Sequence, residues 1–228
     1  MLNRLRAIVG GRRAAPPSPR REVPLAAYQV TLRARLKGLP SRTQAALAAA
    51  CAERLYPSYA AFLNATGRDD AGLVRQALDL AWEGAKTGRV PHPDPRSLVE
   101  RCIALIPDDD AEGTIPAHAD DSVAAAAYAL QAAAGLDAGA AGWAAERVTN
   151  TLDTFVLSTG VDAAAPDADR RVWEHPLVKA EVSRREDDLR RLDGAVDWPV
   201  AVDAVRATAT GASALPLERL DHRTDGRL

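Results

Sequence analysis

Glu53 and Arg54 stand side by side in a stretch that is otherwise largely alanine and leucine, QAALAAACAERLYPSYAAFLNATG from Gln44 to Gly67. Charged groups set among apolar neighbours must be paired or hydrated, which makes them the first candidates for chemistry. Arg75, Asp79 and Glu83 follow, one turn apart on a single helix face. Two carboxylates at that spacing can ligate a metal, but no Glu-x-x-His partner of the kind used by helical di-metal sites accompanies them. The plainer expectation is an Arg75 to Asp79 ion pair, with Glu83 met by a neighbouring helix. Arg54, a fork-shaped donor, is expected to reach Asp79 or Glu83 and tie two helices together. With Tyr59 and Asp120 these residues complete a candidate polar network of Glu53, Arg54, Tyr59, Asp79, Glu83 and Asp120. It is read as a structural network first and as a pocket second.

Other constellations point away from catalysis. The acidic run Asp108-Asp109-Asp110 with Glu112 lacks the alternating ligands, central glycine and final glutamate of a calcium loop. Asp120-Asp121 reads as an N-cap pair at a helix start. His92, His118, His175 and His222 include no pair four residues apart, so no zinc site is expected. Phosphate-binding loops, dinucleotide fingerprints and nucleophile elbows are absent from the sequence. No catalytic residue, cofactor or metal ligand is assigned. Cys51 and Cys102, without a C-x-x-C or histidine cluster, read as small buried hydrophobes in a reducing cytosol.

The elements that must position these groups are helical. The 228 residues are enough for one domain with a sizeable core. Hydrophobic residues make up 47% of the chain but aromatics only 4%, so the core must come from close helix contacts rather than large rings. Leu25, Tyr28, Leu32, Leu36 and Leu39 mark a first helix ended by Gly38 and Pro40. Ser41 and Gln44 suit a capping box for a second, amphipathic helix through Leu47, Cys51, Leu55 and Phe62, which Pro57 should kink or split. A third is expected to start at Asp69-Asp70 and to bury Leu73, Ala77, Leu80 and Ala81. Val90 to Pro95 forms a rigid connector, and Leu98, Cys102, Ile103 and Ile106 a short fourth helix. Helices near Asp120 to Ala134 and Ala140 to Ser158 follow, then a break marked by Gly160 and Pro166. Pro176 opens a helix to Leu192 whose run Arg184-Arg185-Glu186-Asp187-Asp188 reads as a solvated, ion-paired face. Trp198 to Ala207 adds a short helix, and a mobile tail is expected from Gly211. The fold class is all-α: a single compact domain of about seven to nine helices with short antiparallel connections. Its division is a basic disordered arm at 1–24, a helical domain at 25–193 and an extension at 194–228.

Charge is uneven along the chain. Six arginines against Glu22 give the arm +5, which leaves −7 for the rest of a chain whose net charge is −2. An acidic body repels phosphates, so nucleic-acid binding is not expected. No segment reaches the length of about 20 apolar residues that crosses a membrane, and a soluble cytoplasmic protein is expected.

The run Leu39-Pro40, Gln44, Cys51 to Arg54, Tyr56-Pro57-x-Tyr59-Ala60-x-Phe62, Thr66-Gly67 and Leu78-Asp79-Leu80-x-Trp82-Glu83 resembles the YjaG-like bacterial family, a domain of unknown function. Ile106-Pro107-Asp108, Pro116-Ala117, Thr154-Phe155 and His175-Pro176-Leu177-Val178 extend the resemblance from about Leu32 to Leu192. It implies an all-helical cytosolic bacterial protein and no particular activity. Three functional expectations result. The leading one is a non-enzymatic protein-interaction module, of adaptor or immunity type, that binds a basic partner such as a secreted nuclease. The alternative is a small-molecule or enzymatic site in the buried polar network. The third is an architectural homodimer anchored on Trp143 or Trp173.

Overall fold

The structure is a computed structural model that describes residues 24–67, 69, 71–106 and 117–217. The readings of a disordered arm, of the acidic run at 108–112 and of the chain beyond 217 lie outside the described residues. Helices are α1 (Pro24–Lys37), α2 (Ser41–Thr66), α3 (Ala71–Thr87), α4 (Pro95–Ile103), α5 (Ala117–Ala133), α6 (Ala140–Ser158), α7 (Ala168–Glu174), α8 (Pro176–Leu192) and α9 (Trp198–Thr210). Among the described residues there is no strand, and the fold is a single all-α domain.

Alanine determines how this body is built. Every residue of α2 from Ala45 to Leu55 is buried, as is every residue of α5 from Asp121 to Gln131. A helix buried all round has neighbours on every side, so α2 is a central helix and not the amphipathic one its spacing suggests. Small side chains let helix axes approach closely. α5 lies along α2; α3 and α6 pack against both, α8 and α9 against α2, and α4 against α5. α1 and α7 cover the outer side of α6.

Helix ends mostly follow the local signals, with four differences. Pro40, not Ser41, is the cap residue of α2; it makes no side-chain capping bond, and Gln44 Nε2 donates instead to the Leu39 carbonyl at 2.9 Å. The capping box therefore does not form. Pro57 neither ends nor splits α2, which runs on to Thr66 before Gly67, at φ 69°, closes it with a bond to the Leu63 carbonyl. Burial of Ser58, Tyr59, Phe62 and Leu63 on one face outweighs the loss of one backbone donor. α5 begins at Ala117, which places Asp120 in its first turn and Asp121 beyond it, so neither is an N-cap. α7 fills what reads as a break between Pro166 and Pro176. The caps of α4, α8 and α9 are Asp94, His175 and Asp197, each accepting a backbone N–H of the first turn.

The tail is not free from Gly211 onward. Ala214 N donates to the Arg54 carbonyl at 2.9 Å, and Ala214 and Leu215 are buried. Close approach is tightest at Gly84, where a Cβ would lie 2.7 Å from Val90 Cγ2 and 2.9 Å from Ala133 Cβ. Gly84→Val is expected to destabilise by about 1–3 kcal/mol through overpacking between α3 and α5. Urea denaturation measures this, and a variant as stable as the parent would show that the contact can relax.

Candidate functional site

The six residues of the expected network do not converge. Neighbours on a helix diverge by about 100°, and α2 directs Arg54 towards α8 while Glu53 faces α3. Arg54 does not reach Asp79 or Glu83. Its Nη1 donates to Asp188 Oδ2 at 2.8 Å and its Nη2 to Glu181 Oε1 at 3.0 Å, with Nε 3.0 Å from Glu181 Oε2. Arg185 closes the group: Nε donates to Glu181 Oε1 at 3.0 Å and Nη1 to Thr149 Oγ1 at 3.2 Å, and Gln29 Nε2 donates to the same Thr149 hydroxyl. All four ionised side chains are at most 3% exposed.

Two cations and two anions thus balance inside the protein. Burial alone would raise the Glu181 carboxyl, but Arg54 and Arg185 hold it below its ordinary value. Burial lifts the Asp188 carboxyl and the Cys51 thiol, in both cases against the pull of nearby arginine, and raises the Tyr28 hydroxyl to about 12. A cavity beside Thr149, Glu181 and Arg185 measures about 10 Å³, no more than one water needs. Cys51 and Cys102 are buried free thiols.

The α8 side of this network escapes sequence reading. Arg185 and Asp188 fall in a run of charge that looks solvated, yet they are buried. The available signal is Val178, Leu189 and Leu192, whose spacing places 181, 185 and 188 on the same face.

Glu53 belongs to a second network. Arg75 grips it with two bonds, Nη1 to Oε1 at 2.6 Å and Nη2 to Oε2 at 2.9 Å, and Trp82 Nε1 donates to Oε2 at 2.9 Å. Burial raises the Glu53 carboxyl, but the Arg75 and Trp82 hydrogen bonds outweigh it and the net shift is downward. The Arg75 to Asp79 pair forms at 3.0 Å, and Asp79, half exposed, also accepts from Arg206 Nη2 at 2.5 Å, which fastens α9 to α3. Glu83 is exposed and makes no ion pair among the described residues, because it points away from the neighbouring helices. Tyr59 is buried with its ring centroid 6.4 Å from that of Phe62. Asp120 is half-buried and pairs with neither Glu53 nor Arg54. Its neighbour Asp121 forms a third buried group, accepting from Arg147 Nη1 at 3.2 Å and Thr151 Oγ1 at 2.8 Å.

Glu53→Gln is expected to cost roughly 1–3 kcal/mol, because a buried charged hydrogen-bond acceptor is lost. Asp79→Asn, at a half-exposed position, should stay within about 1 kcal/mol. The first effect is pH-dependent. A carboxyl whose folded pKa is depressed stabilises above its unfolded value and loses that contribution as pH falls through the folded one. The gap between parent and Glu53→Gln in urea midpoint should therefore narrow below about pH 4. A gap that stays constant to lower pH would contradict the depressed carboxyl.

The helical body with interior ion pairs defines an all-α domain, and the comparisons place it. The family model described as protein of unknown function (DUF416) matches residues 31–213, and the chain belongs to this family. The match continues past Leu192, where the motif resemblance ends. The chain is 35% identical over 85 residues to the uncharacterized protein YjaG of Escherichia coli K12, an alignment that covers 36% of this chain and 43% of that protein. It therefore spans less than half the length of that relative. The crystal structure of a DUF416 family protein from Shewanella baltica OS155 superposes with a TM-score of 0.69 at 21% identity, over 80% of this chain and 95% of the other, and shares its fold. No helix among the described residues is long and apolar enough to cross a membrane.

Proposed function

We propose that this protein is a non-enzymatic interaction module of the bacterial cytoplasm, of adaptor or immunity type, whose acidic helical body meets a basic protein. The observation that supports it most is the closure of the interior charges. Arg54 is taken by Glu181 and Asp188, and Glu53 by Arg75 and Trp82, with no room beside the Arg54 network for a metabolite. Chemistry is left to the outer surface, and the chain from Leu25 onward carries −7. Complementary charge raises association rates and makes binding salt-dependent. Trp143 and Trp173, the anchors of the homodimer reading, are already engaged within the chain, Trp143 by Arg33 at 4.4 Å and Trp173 by Lys179 at 3.7 Å.

Affinity purification of the tagged full chain from its native host at low salt, followed by mass spectrometry, is expected to recover one stoichiometric basic protein that is lost as salt rises. Recovery of no protein above background would count against the module. The double variant Glu53→Gln with Asp79→Asn tests the enzymatic alternative: a fold that stays stable while the host phenotype is lost would favour a site in the polar network.

A further inference from the structure

Beyond α9 the chain leaves helical structure, and residues 212–217 are fastened to both α2 and α8. Ala214 N donates to the Arg54 carbonyl of α2 at 2.9 Å, and Arg184 Nη1 of α8 donates to the Ser213 carbonyl at 3.4 Å. Outside the helices, the Ala214 bond is the only main-chain hydrogen bond among the described residues that joins positions more than five apart. Both attachment points belong to the buried ion network or touch it. Arg54 carries the contacts to Glu181 and Asp188, and Arg184 Nη1 also lies 3.8 Å from Glu181 Oε2. The Arg184 side chain is 39% exposed, whereas those of Arg54 and Glu181 are 2% and 1% exposed. The segment is therefore fastened where the network passes from dry interior to solvent.

What holds this segment is small beside what holds its surroundings. Its six residues carry no charge, and only Ala214 and Leu215 are buried. Pro216 restricts Leu215 to extended backbone, so the segment adds no helix of its own there. α9 is anchored without it, by buried Trp198, Val202, Val205 and Ala209 and by the pairs Lys86 to Asp203 and Arg206 to Asp79. On the other side, charge-assisted bonds among Arg54, Glu181, Asp188 and Arg185 tie α2 to α8. A segment with few buried contacts between well-anchored helices opens at lower free energy than the whole fold.

We propose that residues 212–217 are a strap that opens as a unit while the helices stay folded, and that its opening admits water to the network of Arg54, Glu181 and Asp188. Closed, it covers the seam between α2 and α8 and keeps the charges dry. Open, it lets Arg54 and Glu181 hydrate at the seam. The strap does not depend on the partner-binding reading above.

Native-state hydrogen exchange of the 15N-labelled full chain tests this. The Ala214 amide reports the strap, and the Arg54 Nε–H, which donates to Glu181 Oε1 at 3.2 Å, reports the network. The indole N–H of Trp82, buried and bonded to Glu53, reports global unfolding. In the parent, the Ala214 and Arg54 protons are expected to share one protection factor, about tenfold or more below that of Trp82. Their protection should hardly depend on urea, because opening a strap exposes little surface, whereas that of Trp82 should fall steeply. Leu215→Ala removes the larger of the two buried side chains and should lower the protection of both protons together, by about tenfold or more. An Ala214 amide as protected and as urea-dependent as Trp82 would overturn the proposal, as would one with no protection at all. So would an Arg54 proton that behaves like Trp82 while Ala214 exchanges freely, or a Leu215→Ala effect confined to Ala214.

Discussion

Arg54→Leu is expected to destabilise the protein by about 3–5 kcal/mol, the usual consequence of removing one partner from a buried ion pair. For a chain of this size that corresponds to a fall in melting midpoint on the order of 10 °C. Glu181 and Asp188, at most 3% exposed, would be left with Arg185 as the one remaining buried cation of the network. Because Arg54 alone bridges Glu181 to Asp188, its loss also loosens α8 from α2. Arg54→Lys should rescue little, since a point-charge ammonium cannot make the forked contacts that the guanidinium makes to two carboxylates. Circular dichroism melts measure both variants. A fall of less than about 3 °C for Arg54→Leu would mean that the four charges do not hold the helices together.

Trp82→Ala should cost a similar amount, about 3–5 kcal/mol, for a different reason. Trp82 is the largest fully buried side chain of the core, and its truncation opens a cavity where α3 meets α2. It also removes the indole donor 2.9 Å from Glu53 Oε2, leaving Arg75 as the partner of that carboxylate. Trp82→Phe separates the two contributions: the ring mostly remains and the hydrogen bond is lost, so a smaller cost of about 1–3 kcal/mol is expected. Equal urea midpoints for the two variants would assign the whole effect to the hydrogen bond and none to packing.

Much of the architecture is legible in the residues themselves. Leu25, Leu32 and Leu36 announce α1, Gly67 ends α2, and Pro176 to Leu192 frames α8 at both ends. These signals are local: a left-handed glycine, a proline in the first turn and a side chain accepting a free N–H act within one or two turns. The candidate site was half legible. Glu53 and Arg54 stand out because charge amid alanine demands a partner, and the Arg75 to Asp79 pair is fixed by helix spacing. The partners of Glu53 and Arg54 were not readable, since nothing in the order of residues states which helix a given face of α2 will meet.

The sequence by itself determined every described helix except α7, most of their ends, the family and the excess of negative charge beyond the arm. Tertiary structure alone decided that α2 is central, that Glu53 and Arg54 serve two separate networks, and that Arg185 and Asp188 turn inward from a run of charge. The physical reason is that helical periodicity fixes the angle between neighbouring side chains but not what lies at that angle. In an alanine-rich core every face can be buried, so the contrast of apolar and polar faces that normally points inward is missing, and only the packed arrangement pairs each charge.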